Sequence, residues 1–304
     1  MTYLLIFYNS LNVDPLKTKN FAKKIENYIT QNHNHNILES FDKEKPILIG
    51  IYDILKDFSN FKNLSLNLKS NSKILLFTLG GDGTLFNSLS LIRKKLDFQK
   101  ENVEIFVIPL NFGSKGFYCF YDKNLINNEM KLWGLIDSDY KEKKFLKGLF
   151  WKIVSKDLEE YFVGDIVIKN KITYKPFRIR YYIQESQNFI EELSDGLLIF
   201  SKFGTTGYFL SLYGTFIDLD IDDLIGISFI APHSIKYKPQ IFKNKNIYIE
   251  NIYKNELLII KDGQELKNNS YQTIERIQIT LDNNYFYLMG KTNIFDRWYN
   301  TFYT

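Results

Sequence analysis

The chain has 304 residues, 45% apolar and 24% charged, enough for about two domains and for a core that buries roughly 75% of the unfolded surface. That composition excludes disorder over most of the length and any need for disulfide or metal staples. Lys plus Arg is 39 against 35 Asp plus Glu, so the net charge of +4 argues against a dedicated nucleic-acid binder without repelling a phosphorylated ligand. Cys119 is the single cysteine, which excludes an intrachain disulfide and a Cys-rich zinc site. No apolar run reaches the roughly 18 to 20 residues that span a bilayer. The opening Tyr3–Tyr8 run lacks a basic leader and a cleavage site, so a cytoplasmic protein with no membrane partner is expected.

The first part of the chain alternates strand-like and helix-like segments. Tyr3–Tyr8 reads as a buried strand. Asp14-Pro15 then supplies an N-cap and a Pro at the first helical position, with Leu16, Phe21, Ile25 and Ile29 on one helical face. His33 and His35 fall in a polar Asn-His repeat that reads as a solvated loop. Ile47–Ile51, Ile74–Phe77 and Val103–Pro109 read as strands, and Thr84–Leu96 as a helix with Leu85, Leu89, Leu91 and Ile92 apolar. Strands separated by helices predict a parallel sheet, a Rossmann-like α/β domain over residues 1–122.

Residues 124–135 then read as a helix and 137–144 as a polar connector. Beyond them Leu146–Ser155, Tyr161–Ile168, Ile172–Tyr182, Leu197–Phe200, Ile247–Ile252, Leu257–Ile260 and Ile277–Leu281 read as strands among turn-forming residues. That pattern predicts an antiparallel β domain over residues 123–284. Asn293–Tyr299 has the amphipathic pattern of a terminal helix that docks back. The recurrence of Asn, Lys, Ile, Phe and Tyr throughout is a skew that AT-rich codons can produce without selection on function, so no aromatic or Lys/Asn stretch is read as a motif.

The strongest local signal is Gly80-Gly81-Asp82-Gly83-Thr84, which follows a buried strand and opens a helix, where open α/β sheets bind ligands. Its glycines let backbone amides approach phosphate oxygens, and the helix N-terminus adds positive potential. A carboxylate beside phosphates suits a divalent cation or accepts a proton from an attacking hydroxyl. The combination points to phosphoryl transfer to an alcohol. A tight strand-to-helix turn with Asp82 as N-cap is the plainer alternative.

At these residues the sequence resembles a known group. Gly-Gly-Asp-Gly-Thr is shared by NAD kinases, by diacylglycerol and sphingosine-type lipid kinases and, loosely, by phosphofructokinases. Asn111-Phe112-Gly113-Ser114-Lys115-Gly116-Phe117 resembles the NAD-kinase loop ending in Leu-Gly-Phe, and the Gly-Thr-x-Asn-Asp stretch of lipid kinases is missing. Asp195-Gly196-Leu197-Leu198-Ile199, followed by Gly204-Thr205-Thr206-Gly207-Tyr208 and Ser211, is similar to the family's Asp-Gly-Leu-Ile-Val and Gly-Ser/Thr-Thr-Ala-Tyr. Ala231-Pro232-His233-Ser234 and Asp262-Gly263-Gln264 resemble Cys-Pro-His-Ser and Asp-Gly-Gln. These matches run in the family's order from residue 80 to residue 264. Three departures stand out: Gly164-Asp165 for Asn-Glu, Phe200-Ser201-Lys202-Phe203 for Ser-Thr-Pro-x, and Gly207 for Ala.

The resemblance implies phosphorylation of the 2′-hydroxyl of the adenosine ribose of NAD, with ATP or polyphosphate as donor. A divalent cation, Mg²⁺ by expectation, would be bound mainly through the donor phosphates. Asp82 would be the general base, and Gly80, Gly81, Gly83 and Thr84 would hold phosphate. Asp82, Gly83, Phe117, Tyr118, Asp165, Asp195, Thr206, Gly207, Tyr208 and Ser211 would contact NAD. It also implies that residues 285–304 complete the first domain, and that the protein is a homodimer or homotetramer. Lys202 reads as a solvated loop lysine, with phosphate contact as the alternative. Two other functions stay open at this point: a lipid or small-alcohol kinase sharing the glycine-rich loop, and a non-catalytic NAD(P)-binding protein, suggested by Gly164-Asp165.

Overall fold

A computed structural model describes residues 2–8, 15–31, 47–53, 72–95, 103–113, 116–122, 129–172, 174–184, 186, 188–213, 215, 217, 221–234, 236–266, 274–290 and 296–299. Asp14, His33, His35, Ser114 and Lys115 lie outside these residues. The chain divides into two compact units, residues 1–148 with 284–304 and residues 149–283. None of the described helices is long and apolar enough to cross a membrane.

In the first unit a parallel sheet runs in the order β2-β1-β3-β4, from β1 (Thr2–Tyr8), β2 (Ile47–Asp53), β3 (Lys73–Gly80) and β4 (Glu104–Asn111). The short β5 (Tyr121–Asp122) pairs in parallel with the end of β4. The last residues of β17 (Arg276–Met289) also lie parallel to β4, pairing Phe286 with Ile105 and Leu288 with Val107. The β3 burial pattern is apolar on both faces, as a parallel strand with cover on each side requires. Helix α1 (Pro15–Gln31) buries Phe21, Ala22, Ile25 and Ile29 at helical spacing. Leu16 departs from expectation and is 74% exposed, because it lies five residues before Phe21 and so about 140° around the helix from it. Helix α2 (Asp82–Lys95) is buried from Thr84 to Arg93 and carries its acid in the first turn and its bases in the last, complementing the helix dipole.

Helix α3 (Glu129–Lys141) corrects the expected segmentation, since it continues through most of the supposed connector at 137–144. Its Leu132, Trp133 and Ile136 enter the first unit's core, with Trp133 stacked on Tyr28 at 4.6 Å between ring centroids. These contacts place α3 with the first unit, and the compact units divide after Gly148, where a boundary after residue 122 was expected.

The second unit is antiparallel. One sheet runs β13-β12-β11-β8-β15-β16, from β8 (Asp165–Asn170), β11 (Gly196–Ser201), β12 (Leu224–Ile230), β13 (Gln240–Lys243), β15 (Leu257–Lys261) and β16 (Gln264–Glu265). Strands β9 (Phe177–Ile183), β10 (Ile190–Ser194), β14 (Ile247–Glu250) and the first half of β17 pair in the order β10-β9-β14-β17. Strands β6 (Phe145–Ser155) and β7 (Leu158–Phe162) form a hairpin. Alternate residues from these strands, such as Ile166 and Ile168, Leu197 and Ile199, Ile247 and Ile249, and Ile277 and Ile279, form one core. The opposite faces of β8 and β11, through Val167, Leu198 and Phe200, pack on Phe209 of α4 (Tyr208–Tyr213). Cover on both faces explains why Gly196–Ser201 is apolar without alternation.

The fold is therefore the expected class, α/β followed by antiparallel β. Two strand readings change. Tyr161–Ile168 is not one strand: it breaks at Val163-Gly164 between β7 and β8. Ile172–Tyr182 becomes a strand only from Phe177, since Lys175 N donates to Ile172 O in a turn before Pro176. Strands β10 and β12 were not anticipated. The gain in length of β17 over Ile277–Leu281 comes from pairing with β14 early and β4 late.

Candidate active site

In the first unit the glycine-rich turn leaves the C-terminal end of β3 and becomes the first turn of α2. Thr84 N and Leu85 N donate to Gly81 O at 3.0 and 3.2 Å, closing the first helical turn. A Cβ on Gly80 would sit 2.6 Å from Thr84 Cβ, and Thr84 is β-branched and 5% exposed, so only glycine fits there. At Gly83 a Cβ would meet nothing within 4 Å, so the absence of a side chain leaves open space over the helix N-terminus. Steric need explains Gly80, whereas access to the amides is what glycine supplies at Gly83.

Asp82 is held from outside its own helix. Its Oδ2 accepts from Phe117 N and its Oδ1 from Tyr118 N, both at 2.9 Å, and the Cys119 Sγ lies 3.7 Å from Oδ1. Burial pushes the Asp82 pKa up, while the two amides and the nearby Arg297 guanidinium pull it down. Burial and the Asp82 charge push the Cys119 thiol well above its ordinary range. The rings of Phe117 and Tyr118 are 2% and 0% exposed, packed edge-to-face on each other, with Tyr118 also against Phe86 of α2. They are not free aromatic platforms: the rings fill the space beside α2, and the residues present their amides to Asp82. At the turn's entrance, Gly113 N donates to Asn111 Oδ1 at 3.0 Å and Phe112 N to Gly80 O at 3.2 Å, tying the two loops together.

In the second unit the site residues gather around a strand break. Asp262 (φ 46°) and Gly263 (φ 77°) make the two-residue turn between β15 and β16, a position that favours Asp-Gly. The Asp262 carboxylate folds back and accepts from Val163 N at 3.2 Å, Gly164 N at 2.7 Å and Asp165 N at 3.2 Å. These bonds satisfy the amides released where β7 and β8 separate, which is the physical reason that the predicted single strand is two.

Gly164 O in turn accepts from Ser201 N at 2.9 Å, and a Cβ on Gly204 would come 2.5 Å from the same oxygen. Ser201 caps the 3₁₀ turn Lys202–Thr206 by accepting from Phe203 N, and its hydroxyl donates to Val163 O. That turn delivers Gly207 and Tyr208 to Asp165: the Tyr208 amide donates to the Asp165 carboxylate, and a Cβ on Gly207 would rest 3.5 Å from Asp165 Oδ2. Burial and the like charge of Asp262 push Asp165 up to about 7, against the single Tyr208 amide. Thr206 is half-buried, and Ser211 lies one turn along α4 with its hydroxyl 3.5 Å from Gly207 O.

Asp195 stands apart. It is exposed at the bend before β11, whereas Asp165 pairs with Phe200 near the other end of that strand. Five residues at about 3.3 Å each separate them by about 17 Å. His233 is exposed, with its amide donating to Leu193 O at 2.9 Å. Lys202 is not a solvated loop lysine: it is 4% exposed and its ammonium contacts Asp222 Oδ1 at 2.7 Å. The apolar turn around it leaves a buried ammonium in need of a carboxylate. Sequence reasoning passed over Arg297, which reaches the 116–119 turn, and weighed Asp262 only as part of a motif. Neither has a local signal, because their partners are distant in the chain.

The ATP-NAD kinase C-terminal domain family matches residues 165–288. The chain is 27% identical to the NAD kinase of Borreliella burgdorferi over 183 residues, 56% of this chain and 58% of that protein. It is 27% identical to the NAD kinase of Caldicellulosiruptor saccharolyticus over 236 residues, covering 75% and 83%. It thus spans less than two thirds of the length of the Borreliella protein. In fold it resembles a yeast NADH kinase solved with NADH, at TM-score 0.66 and 18% identity over 99% of this chain and 87% of that one. It also resembles an NAD kinase from Archaeoglobus fulgidus solved with ATP, at TM-score 0.61 and 14% identity over 99% and 98%. The domain match, the curated relatives and the shared architecture agree: the chain is similar to NAD kinases across both units.

Proposed function

We propose that the protein is an NAD kinase, transferring a phosphoryl group from ATP or polyphosphate to the adenosine-ribose 2′-hydroxyl of NAD and releasing NADP. The observation that carries this reading is the Asp82 carboxylate. It is fixed by the Phe117 and Tyr118 amides beside a glycine-rich turn at the N-terminus of α2. Asp82 accepts the hydroxyl proton as the ribose oxygen attacks the phosphorus. Burial raises its pKa toward the operating pH, which improves it as a base. The open backbone at Gly83, with Gly80, Gly81 and Thr84 and the dipole of α2, suits the charge on the donor phosphates.

The second unit supplies dinucleotide contacts through Asp165, Thr206, Gly207, Tyr208 and Ser211, and Asp195 serves at its separate position. Among the described residues no three His, Cys, Asp or Glu side chains gather at metal-ligand spacing. A Mg²⁺ ion held mainly by the donor phosphates would neutralise their charge when bound. A cytoplasmic homodimer or homotetramer accompanies the reading.

The test is NADP formation from NAD by purified protein with ATP and Mg²⁺, followed with an NADP-specific dehydrogenase and repeated with polyphosphate. NADP with either donor supports the proposal. NAD binding without turnover under both conditions replaces it with a non-catalytic NAD(P)-binding protein, and phosphorylation of a lipid hydroxyl with indifference to NAD replaces it with a lipid kinase.

A further inference from the structure

Residues 296–299 are helical, and within them Arg297 reaches the turn that holds Asp82. Its Nε donates to Phe117 O, and its Nη2 donates to Gly116 O at 2.7 Å and to Cys119 O at 2.6 Å. The guanidinium also lies over the Phe120 ring, 5.0 Å from the centroid. A planar fork that satisfies several carbonyls at once is the geometry for which arginine, unlike lysine, is pre-organised.

The two grips share peptide groups. The carbonyl of Gly116 and the N–H of Phe117 belong to one peptide plane, and the carbonyl of Phe117 and the N–H of Tyr118 belong to the next. In a trans peptide the C=O and N–H point in opposite directions and cannot rotate independently. Arg297 therefore holds the carbonyl ends of the same two planes whose N–H ends hold Asp82 Oδ2 and Oδ1. Fixing the carbonyls fixes the amides, and hydrogen bonding at one end of a peptide polarises the other.

We propose that Arg297 is a positioning residue that sets the Asp82 carboxylate through the 116–117 and 117–118 peptide groups. This rests on the reading of Asp82 as the general base. It makes the last described turn of the chain part of the catalytic geometry, although the residue touches no reacting atom.

The test compares full-length wild type with Arg297→Met and Arg297→Lys. A base displaced by about 1 Å costs on the order of 10²-fold in rate, so Arg297→Met is expected to lose about 10²-fold in kcat while the KM for NAD changes less than about threefold. Arg297→Lys keeps the charge without the fork and recovers only part of the rate. A second readout does not depend on activity. Cys119, the only cysteine, is 1% exposed and its carbonyl oxygen accepts from Arg297 in the same grip, so a neutral maleimide reports whether the turn is closed. Arg297→Met is expected to raise the labelling rate and the amide exchange of Phe117 and Tyr118, with exchange in β3 and β4 unchanged.

Wild-type kcat in Arg297→Met overturns the proposal, as does a loss of rate matched by faster exchange throughout β3 and β4. If Arg297→Met does not fold, equal kcat in Arg297→Lys and wild type overturns it. If the wild type makes no NADP, the function has failed rather than the grip; unchanged labelling and exchange at Phe117 and Tyr118 would then overturn the grip as well.

Discussion

Each unit sets a desolvated carboxylate beside its glycine-rich turn, Asp82 in the first and Asp165 in the second, and the two are treated in opposite ways. Asp82 receives two amides and lies in the field of a guanidinium, all opposing the effect of burial. Asp165 receives one amide, from Tyr208, and faces a second carboxylate, Asp262, whose own oxygens are taken by the amides of residues 163–165. The first arrangement offsets part of what burial costs the Asp82 carboxylate. The second leaves Asp165 with a pKa of about 7, poised to change charge near neutrality.

The sharpest way to break this comparison is Asp82→Asn, which keeps the shape and removes the proton acceptor. NADP formation is expected to fall 10²- to 10⁴-fold, roughly what general-base catalysis contributes, with NAD binding by calorimetry retained. A loss under tenfold would remove Asp82 from the chemistry. Next is Asp262→Ala, which strips the acceptor from three amides and is expected to cost roughly 1–3 kcal/mol in denaturant unfolding. Asp262→Asn, which keeps one acceptor oxygen and a turn-forming residue, should lose less.

The Asp165 contribution to stability runs against the usual direction for a carboxylate. Between pH about 4 and about 7 the native state keeps a proton that the unfolded chain has released, so the stabilisation is full below pH 3.8 and is lost as pH rises through 7. Wild type is therefore expected to lose stability relative to Asp165→Asn as pH rises from 5 to 8, by at most about 1.4 kcal/mol per pH unit. Parallel stability curves for the two proteins would mean that Asp165 is not held protonated. The smallest expected effect is that of Gly207→Ala. The new methyl would sit in ordinary contact, 3.5 Å from Asp165 Oδ2, at a residue with φ of −99°. Stability should stay within about 0.5 kcal/mol, and a larger loss would show that the turn has no room beside Asp165.

The legible parts were those whose cause is local. Gly80–Thr84 announces itself because the strand, the turn and the helix start are contiguous, and Phe21, Ile25 and Ile29 announce their buried face by spacing alone. The break at Val163-Gly164 was invisible because its cause, Asp262, lies 98 residues further on from Gly164. Lys202 looked like a loop residue because its partner Asp222 is 20 residues away in a segment with no pattern of its own. Phe117 and Tyr118 drew attention as aromatic side chains, yet it is their amides that meet Asp82, and no residue type encodes the direction of an amide.

The sequence by itself determined the order of α/β and antiparallel β segments, the glycine-rich turn and the acid within it, since periodicity, turn chemistry and helix-start signals act over a few residues. Tertiary structure alone decided which groups surround each carboxylate. Arg297 meets Phe117 across 180 residues and Asp262 meets Gly164 across 98. The charge state of a carboxyl depends on burial and on such distant partners, which come together only when the chain has packed.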